Sequence, residues 1–406
     1  MQNSSDVLIV GGGPIGLLLA LGLGQQGMQV RLLEAQPLQD ETASHSTNNA
    51  FDGRVLALSF GSIEVLHKLG VWQALKPFAT AIEHVHVSQK GYLGITTLHA
   101  REMGVNALGF SVQGRDLGRV LWQAVQAQSA VEVFAPAVLE GFSDDANQPL
   151  PICAQVLLDG ALQEFYARLI IGADGTQSMV RQTLGLALQE KSYDAYAVLA
   201  QIETEQHPQG WSYERFTLDG PVALLPMNGH QHKAVMVIPQ TQLAEVMALD
   251  DQAYLQKFAD KMGERLGGFV GISPRLAYPL KEAYVDNFTQ GHALLLGNAA
   301  HTQHPVAAQG LNLGIRDIAV LLNQIEQLNL PPTQSVEQLS SQKFLQNYAA
   351  LRQPDHQNVL GMTDSLISVF QHSSPLVGHL RGLGLMALQA LPAVKKRFSR
   401  FAMGKG

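Results

Sequence analysis

Val7-Leu8-Ile9-Val10-Gly11-Gly12-Gly13-Pro14-Ile15-Gly16 is the stretch whose reading decides the fold of this chain. Its four leading apolar residues read as a short buried strand and its glycines as a tight turn, while Ile15 to Gln25 reads as an apolar helix that Gly27 ends. Gln29 to Glu34 follows as a second strand. Parallel neighbours need a crossover of this kind, so the stretch opens a βαβ unit. Within it Gly11, Gly13 and Gly16 fit the G-x-G-x-x-G pattern. Gly11 serves the turn, Gly13 the close approach of a pyrophosphate, and Gly16 the packing of helix on strand. Glu34 ends the second strand, where a carboxylate can accept hydrogen bonds from a ribose diol. The pattern is common to FAD and NAD sites, and Glu34 disfavours the 2′-phosphate of NADP as the resident nucleotide.

The apolar run Val7 to Leu23 does not read as a signal peptide. No Lys or Arg precedes Arg31, Asp6 stands in front of the run, and the glycines with Pro14 break it where an h-region would be helical. No stretch elsewhere reaches the ~18 uninterrupted apolar residues of a membrane span. A soluble or peripheral protein is the expectation.

At 406 residues the chain exceeds the ~150-residue domain prior severalfold, so two or three structural units are expected. Its 46% apolar and 15% charged residues, against roughly 25% charged in typical globular chains, allow a large core and exclude a disordered protein. A net charge of −7 argues against nucleic-acid binding, which needs a basic footprint. Cys153 is the single cysteine, which excludes a disulfide framework and any paired-cysteine metal site and fits a reducing cytoplasm.

Further along, helical patterning covers Ser62 to Leu69 and Leu117 to Gln128, with strands at Glu83 to Ser88 and Gly94 to His99 between them. Leu169 to Gly172 and Ala293 to Gly297 are buried strand candidates, each running into a glycine turn. The stretch 193 to 240 carries β-like runs at Ala197 to Glu203, Val222 to Leu225 and Ala234 to Ile238, the pattern of a separate sheet-rich domain. After Pro331-Pro332 the pattern turns helical.

Three more motifs accompany the nucleotide stretch. The first is Arg54-Val55-Leu56-Ala57-Leu58-Ser59, and the second is Ala173-Asp174-Gly175 leading into Ser178 and Arg181. The third is Gly297-Asn298-Ala299-Ala300-His301, continued by His304-Pro305-Val306-Ala307-Ala308-Gln309-Gly310-Leu311-Asn312-Leu313-Gly314-Ile315-Arg316-Asp317. Together they resemble the class A flavoprotein aromatic hydroxylases, and within them the ubiquinone-biosynthesis hydroxylase family. The resemblance spans nearly the whole chain and thins over 190 to 290. It implies an α/β fold like that of para-hydroxybenzoate hydroxylase: a Rossmann-like FAD domain from 1–73, 98–182 and 275–330, an inserted sheet-rich substrate domain from 74–97 and 183–274, and a helical segment over 331–406. It places Arg54 by the flavin and pyrophosphate, Asp174 and Gly175 where FAD meets the passing nicotinamide, and Gly297, Asn298, Gln309, Gly310, Leu311 and Asn312 around the flavin. Pro305 would rigidify the approach to the ring, as the one catalytic-site position assigned; the base is not identified. Gln113 and Arg115 resemble a flavin-contacting segment and read equally well as an ordinary helix start.

Two positions depart from the family pattern. Asn298 stands for the usual aspartate and Ala308 for a usual glycine; asparagine keeps one carbonyl acceptor toward the ribityl hydroxyls and loses the charge. Asn298, with Thr363-Asp364-Ser365-Leu366 and Gly384-Leu385-Met386, most resembles the branch that hydroxylates 2-polyprenyl-6-methoxyphenol to 2-polyprenyl-6-methoxy-1,4-benzoquinol. Elementary electrostatics also supports a flavin, with an ordinary helix cap as the alternative. Gln309-Gly310 opens a helix whose unpaired backbone N–H groups and partial positive charge suit the anionic N1/O2 edge of a reduced flavin.

The resemblance thus implies non-covalent FAD, NADPH or NADH as transient reductant, dioxygen, and attack of an electron-rich ring on a flavin C4a-hydroperoxide. The alternatives are a flavin hydroxylase of another aromatic substrate and a non-catalytic flavin-binding scaffold of a quinone-synthesis assembly. No metal is needed. His84 and His86 share a strand face at ligand spacing but lack a third ligand nearby, and a solvated strand face is expected there. Gly382 to Leu391 is almost wholly apolar and Lys395 to Phe401 interleaves four cations with two phenylalanines. That tail suits either an acidic lipid surface or a core-packed helix with a solvated end or a subunit contact. Expected partners are a prenylated phenol, other ubiquinone-biosynthesis proteins and a membrane surface, with no nucleic acid and with oligomers compatible; the expected location is the cytoplasm or the face of the inner membrane.

Overall fold

A computed structural model of the chain describes residues 3–37, 55–263, 265–302, 309–371 and 375–405. The opening strand Ser4–Val10 pairs parallel with Val30–Leu33 on one side and Ala161–Gly172 on the other. Val131–Phe134 and Ala293–Leu295 extend this parallel core at its two ends. Ala137–Asp144 and Ile152–Leu158 add an antiparallel ribbon. Val7, Leu8 and Ile9 are completely buried, as expected of strands covered on both faces. The crossover helix Pro14–Gln25 is buried from Gly16 through Gly24. An all-apolar helix therefore marks the interior here, with the sheet on one side and the helix Gln309–Leu328 on the other. Gly22 permits the contact between the two helices, because a Cβ there would lie 2.4 Å from Leu322 Cδ1.

A second, nine-stranded sheet runs in the order His301–Thr302, Leu276–Tyr284, Gln189–Thr204, Gln231–Pro239, Gly220–Pro226, Trp211–Thr217, His84–Gln89, Ile95–His99, with Phe269–Ile272 beside Gln189–Thr204. Leu276–Tyr284 belongs to this sheet, although the sequence reading groups it with the nucleotide domain. Strand alternation gives the sheet two different faces. Val198, Ile202, Val222, Leu224, Ala234, Met236 and Ile238 point to one, where Tyr254, Phe258 and Met262 of the helix Asp251–Met262 cover them. Burying each such aromatic is worth about 1.5–3 kcal/mol. Ala195, Ala197, Val235, Val237 and Leu280 point to the opposite face.

Three joints lock that second face against the nucleotide-binding part. Lys233 Nζ donates to the Val55 carbonyl at 2.6 Å, and Ser111 Oγ donates to the Pro226 carbonyl. Val55 belongs to a small sheet of Val55–Ser59, Gly109–Gln113 and Ala79–Ile82. The third joint is the short strand His301–Thr302, which continues the Gly297 turn directly into the second sheet. The C-terminal part is helical throughout its described length, as Pro332–Leu339, Gln342–Gln371, Pro375–Ala390 and Pro392–Ala402. Its end is anchored: Met403 is buried beside Leu98, Ala100 and Leu108, and its carbonyl accepts from Gly61 N at 2.8 Å.

The structure corrects the reading of His84 and His86. Trp211–Thr217 pairs alongside their strand, setting Trp211 opposite His84 and Tyr213 opposite His86. His86 is buried, which pushes its pKa down to about 4, and His84 Nδ1 lies 2.9 Å from His99 Nδ1. The face is packed with aromatic rings rather than solvated.

Candidate flavin site

The G-x-G-x-x-G turn is built by close approach. Gly11 adopts φ +106°, and a Cβ there would lie 2.4 Å from the Ala173 carbonyl oxygen; one on Gly16 would lie 1.8 Å from the Gly11 carbonyl oxygen. Gly13 is the contrasting position. It is the N-cap of Pro14–Gln25, makes no side-chain cap, and has open space where a side chain would go. The first turn of that helix holds no acidic residue. Unpaired helix N–H groups facing free space, with the positive end of the dipole behind them, fit a pyrophosphate. Glu34 stands next to the loop, its carboxylate accepting from Gly12 N at 2.7 Å and from Gln36 N at 2.8 Å.

The DG motif lies against the same turn. Asp174 Oδ2 accepts from Met179 N at 2.7 Å and Val180 N at 3.3 Å, while Asp174 Oδ1 is buried with no hydrogen-bond partner. Burial pushes its carboxyl upward, against the pull of those hydrogen bonds. Gly175 follows in a left-handed conformation, φ +79°.

The third motif converges from the far end of the chain. Gly297 is buried at φ +57°, and a Cβ there would meet Ile15 at 3.1 Å; one on Gly314 would meet Ile15 at 2.6 Å. These glycines bring the Gly297 turn and the helix Gln309–Leu328 onto the start of the first helix. Asn298 is exposed beside the turn, and Gly310 and Leu311 are partly buried in the first turn of the later helix. Gln309 begins that helix. The side chain of Asn312 is engaged with the fold. It is buried, its Oδ1 accepts from Ser59 N at 2.8 Å and Ser62 Oγ at 2.7 Å, and its Nδ2 donates to the Ala57 carbonyl at 2.9 Å. Its amide thus pins the helix to Val55–Ser59. Gln113 pairs with Val55 in the small sheet and caps the helix Gly114–Gln126 through backbone only, whereas Arg115 is exposed on that helix. Arg54 and Pro305 lie outside the described residues.

Behind the site sits a charged cluster that sequence reading missed. Asp317 is buried; its Oδ2 accepts from His301 Nε2 at 2.9 Å, and its Oδ1 from His356 Nε2 at 2.8 Å and Arg352 Nε at 2.6 Å. Arg352 also donates to Asp355 at 2.6 Å, and Asp355 accepts from Arg316 at 3.0 Å. Burial alone would raise the Asp317 carboxyl, but His356 and His301 outweigh it and hold it well below the ordinary range. His301, Asp317 and His356 are ligand-type residues, with one ligand atom from each within 4.8 Å of the others. The guanidinium already occupying Asp317 makes this an ion-pair network rather than a vacant metal site. His356 and Arg352 carried no sequence signal because they sit on an otherwise ordinary helix.

The convergence of three glycine turns on one uncapped helix end is matched by likeness to known proteins. Residues 4–331 match the FAD binding domain family, and residues 281–385 match squalene epoxidase. Ubiquinone hydroxylase UbiL of Rhodospirillum rubrum is 30% identical over 98% of this chain and 90% of its own length. The chain belongs to the ubiquinone-biosynthesis flavoprotein hydroxylase family. The 3-demethoxyubiquinol 3-hydroxylase of Escherichia coli is 28% identical, covering 99% of both chains. Among solved structures, p-nitrophenol 4-monooxygenase PnpA from Pseudomonas putida superposes with a TM-score of 0.78 at 16% identity, covering 100% of this chain and 99% of that one. The protein is therefore an FAD-dependent aromatic hydroxylase of ubiquinone biosynthesis that uses NAD(P)H and dioxygen.

Proposed function

We propose that this family member hydroxylates a membrane-borne prenylated phenol, converting 2-polyprenyl-6-methoxyphenol to 2-polyprenyl-6-methoxy-1,4-benzoquinol. Bound FAD supplies reduction by NAD(P)H and activation of dioxygen. In this reading Gly11, Gly13 and Gly16 seat the pyrophosphate on a helix end, Glu34 takes the ribose, and Arg54 approaches the flavin. Asp174 and Gly175 border the passage of the nicotinamide, Asn298 accepts from the ribityl chain, and Gln309 to Leu311 aim a second helix end at the flavin ring. The sheets and the C-terminal helices exclude water from the ring, which keeps activated oxygen on the path to substrate. Asn298→Asp is expected to leave FAD affinity equal or tighter, read by fluorescence titration; loss of flavin would misplace Asn298.

The observation that carries the membrane-borne substrate is an apolar stripe on the last two helices. Leu380 and Leu383 are 57% and 56% exposed, and Leu391 and Val394 continue the row at 52% and 51%. Met386 and Phe398 flank it, and Lys396, Arg397 and Arg400 are exposed beside it. Lys395 is not one of these available cations, because it is buried and paired with Glu102 at 2.7 Å. Apolar side chains ringed by cations suit an anionic bilayer surface, each cation contributing about 1 kcal/mol at short range. The same helix Pro375–Ala390 packs on Ile95–His99, with Thr96 Oγ1 donating to the Leu385 carbonyl at 2.6 Å, so the stripe lies on the outside of a wall of the substrate-side sheet. Among the described residues no helix is long and apolar enough to cross a membrane.

The double variant Leu383→Glu/Leu391→Glu is expected to lose anionic-vesicle binding by at least about 100-fold, since each leucine contributes about 1.5–3 kcal/mol on burial. Turnover of a short-chain soluble phenol should be unchanged. Equal vesicle binding by variant and wild type would refute the membrane surface. The name of the Escherichia coli relative favours a second substrate, a 3-demethoxyubiquinol. Comparing NADPH oxidation stimulated by each compound separates the two readings.

A further inference from the structure

Glu214 occupies an unusual place on the substrate-side sheet. In Trp211–Thr217 it stands opposite Ala223 on one neighbour and Val87 on the other, and Ala223 in turn stands opposite Val235. Cross-strand partners share a face, so Glu214 points to the side of Ala195, Ala197, Ala223, Val235 and Val237, away from the helix Asp251–Met262. That side faces the flavin-binding part, as the bond from Lys233 to Val55 on the same face records. The helix Gln342–Gln371, which carries Arg352 and His356 to Asp317, packs against Trp211–Thr217 and Gly220–Pro226. Glu214 is thus enclosed between the sheet and the elements around the flavin helix.

Among the described residues its carboxylate has neither a hydrogen bond nor an ion pair. Among the described residues, the cations on that face are engaged elsewhere: Lys233 donates to Val55, and Arg381 lies against the Gln89 amide. Enclosure without a partner pushes the carboxyl up to about 7. By accessible surface Glu214 itself is partly buried. A buried carboxylate left without a donor is costly, and such groups in native folds call for a ligand or a catalytic task. The direct cross-strand neighbours of Glu214 on that face are small and apolar, Ala223 on one side and Val87 on the other. The ligand that matches a lone acceptor set between apolar neighbours is an aromatic ring bearing one hydroxyl donor.

Resting on the substrate reading above, we infer that Glu214 receives the phenol hydroxyl of the substrate, orienting the ring and accepting its proton as the ring is oxygenated. One oxygen atom of dioxygen enters the ring and the other leaves as water, with NAD(P)H supplying two electrons and one proton as hydride and solvent the second proton. The phenol proton moves to Glu214 while the ring attacks, and it returns to the oxygen as the attacked carbon loses its own proton and the ring regains aromaticity. Glu214 is therefore neither consumed nor altered over a turnover.

The test compares a short-chain 2-prenyl-6-methoxyphenol with its O-methyl ether, which fills the same space and lacks the donor. Each is titrated into the FAD-loaded full chain, and binding is read from the perturbation of the flavin absorbance. The wild type is expected to prefer the phenol by about tenfold or more, the usual scale for one hydrogen bond to a charged group. Glu214→Gln, of the same shape, keeps a neutral carbonyl acceptor but loses the charge, so it should lose most of that preference while binding the ether as the wild type does. Glu214→Asp should keep part of it and provides the comparison should the glutamine variant fail to retain FAD. Undiminished discrimination in Glu214→Gln overturns the assignment. If the wild type binds neither probe, the prenylated-phenol reading itself falls, and the role of Glu214 with it.

Discussion

Gly13→Asp is expected to yield a folded, colourless protein. The position is an N-cap with extended backbone, φ −70° and ψ 178°, and with free space around the added side chain, so aspartate fits without strain. Aspartate is among the best N-cap residues, and replacing a glycine cap by it contributes only about a few tenths of a kcal/mol to the apo fold. The same carboxylate occupies the helix N–H groups and sets a negative charge where the pyrophosphate would lie. FAD affinity should fall by at least about 1000-fold, the equivalent of some 4 kcal/mol. Protein-bound absorbance after reconstitution and the apo melting temperature check both halves. Gly16→Ala makes the control, because its Cβ would lie 1.8 Å from the Gly11 carbonyl oxygen, so it should lose the fold of the turn as well as the flavin. A yellow Gly13→Asp protein would place the nucleotide elsewhere.

The second large effect belongs to Asp317. Asp317→Asn leaves the Arg352 guanidinium buried without its principal counter-charge, which typically costs about 3–5 kcal/mol. The loss should appear as faster hydrogen exchange and proteolysis along Gln342–Gln371, the helix that Arg352 and His356 tie to the flavin helix. The acid dependence has a definite sign. The folded-state pKa of Asp317 is depressed, so its contribution is complete above the unfolded carboxylate value of about 3.9 and declines only as pH falls below it. His301 is held neutral, first by burial, so its contribution begins to fall once pH drops below the unfolded imidazole value of about 6.5. Wild-type stability should therefore begin to decline below neutrality through His301, while the carboxylate part of the loss, absent in Asp317→Asn, sets in near pH 4 and below. An Asp317→Asn protein whose C-terminal helices exchange as slowly as the wild type would show that the network carries no weight.

What the sequence revealed about the site follows from how local each signal is. The nucleotide turn was readable because Gly11, Gly13 and Gly16 act within one short loop: a Cβ at Gly11 or Gly16 would strike backbone, and the bare Gly13 leaves the helix end open. The role of Gly314 was not separable from its motif, since its use depends on Ile15 arriving from the far end of the chain. The place of Asn312 in the signature did not disclose that its side-chain amide also ties the helix to Ala57, Ser59 and Ser62. His86 looked solvated because a sequence does not disclose that Tyr213 will pair beside it. The tail was ambiguous for the same reason: Lys395 is spent on Glu102, from a segment almost three hundred residues away, while its neighbours remain exposed. Glu214 had no motif around it; only the face on which its strand places it gives it meaning.

The most direct measurement supplies the FAD-loaded chain with NADPH, isotope-labelled dioxygen and a prenylated 6-methoxyphenol, and follows cofactor oxidation together with product mass. The phenol should stimulate NADPH oxidation, and the product should carry one labelled oxygen from dioxygen and none from water. NADPH oxidation stimulated by a small polar phenolic acid but not by the prenylated phenol, or a product without label, would contradict the proposed function.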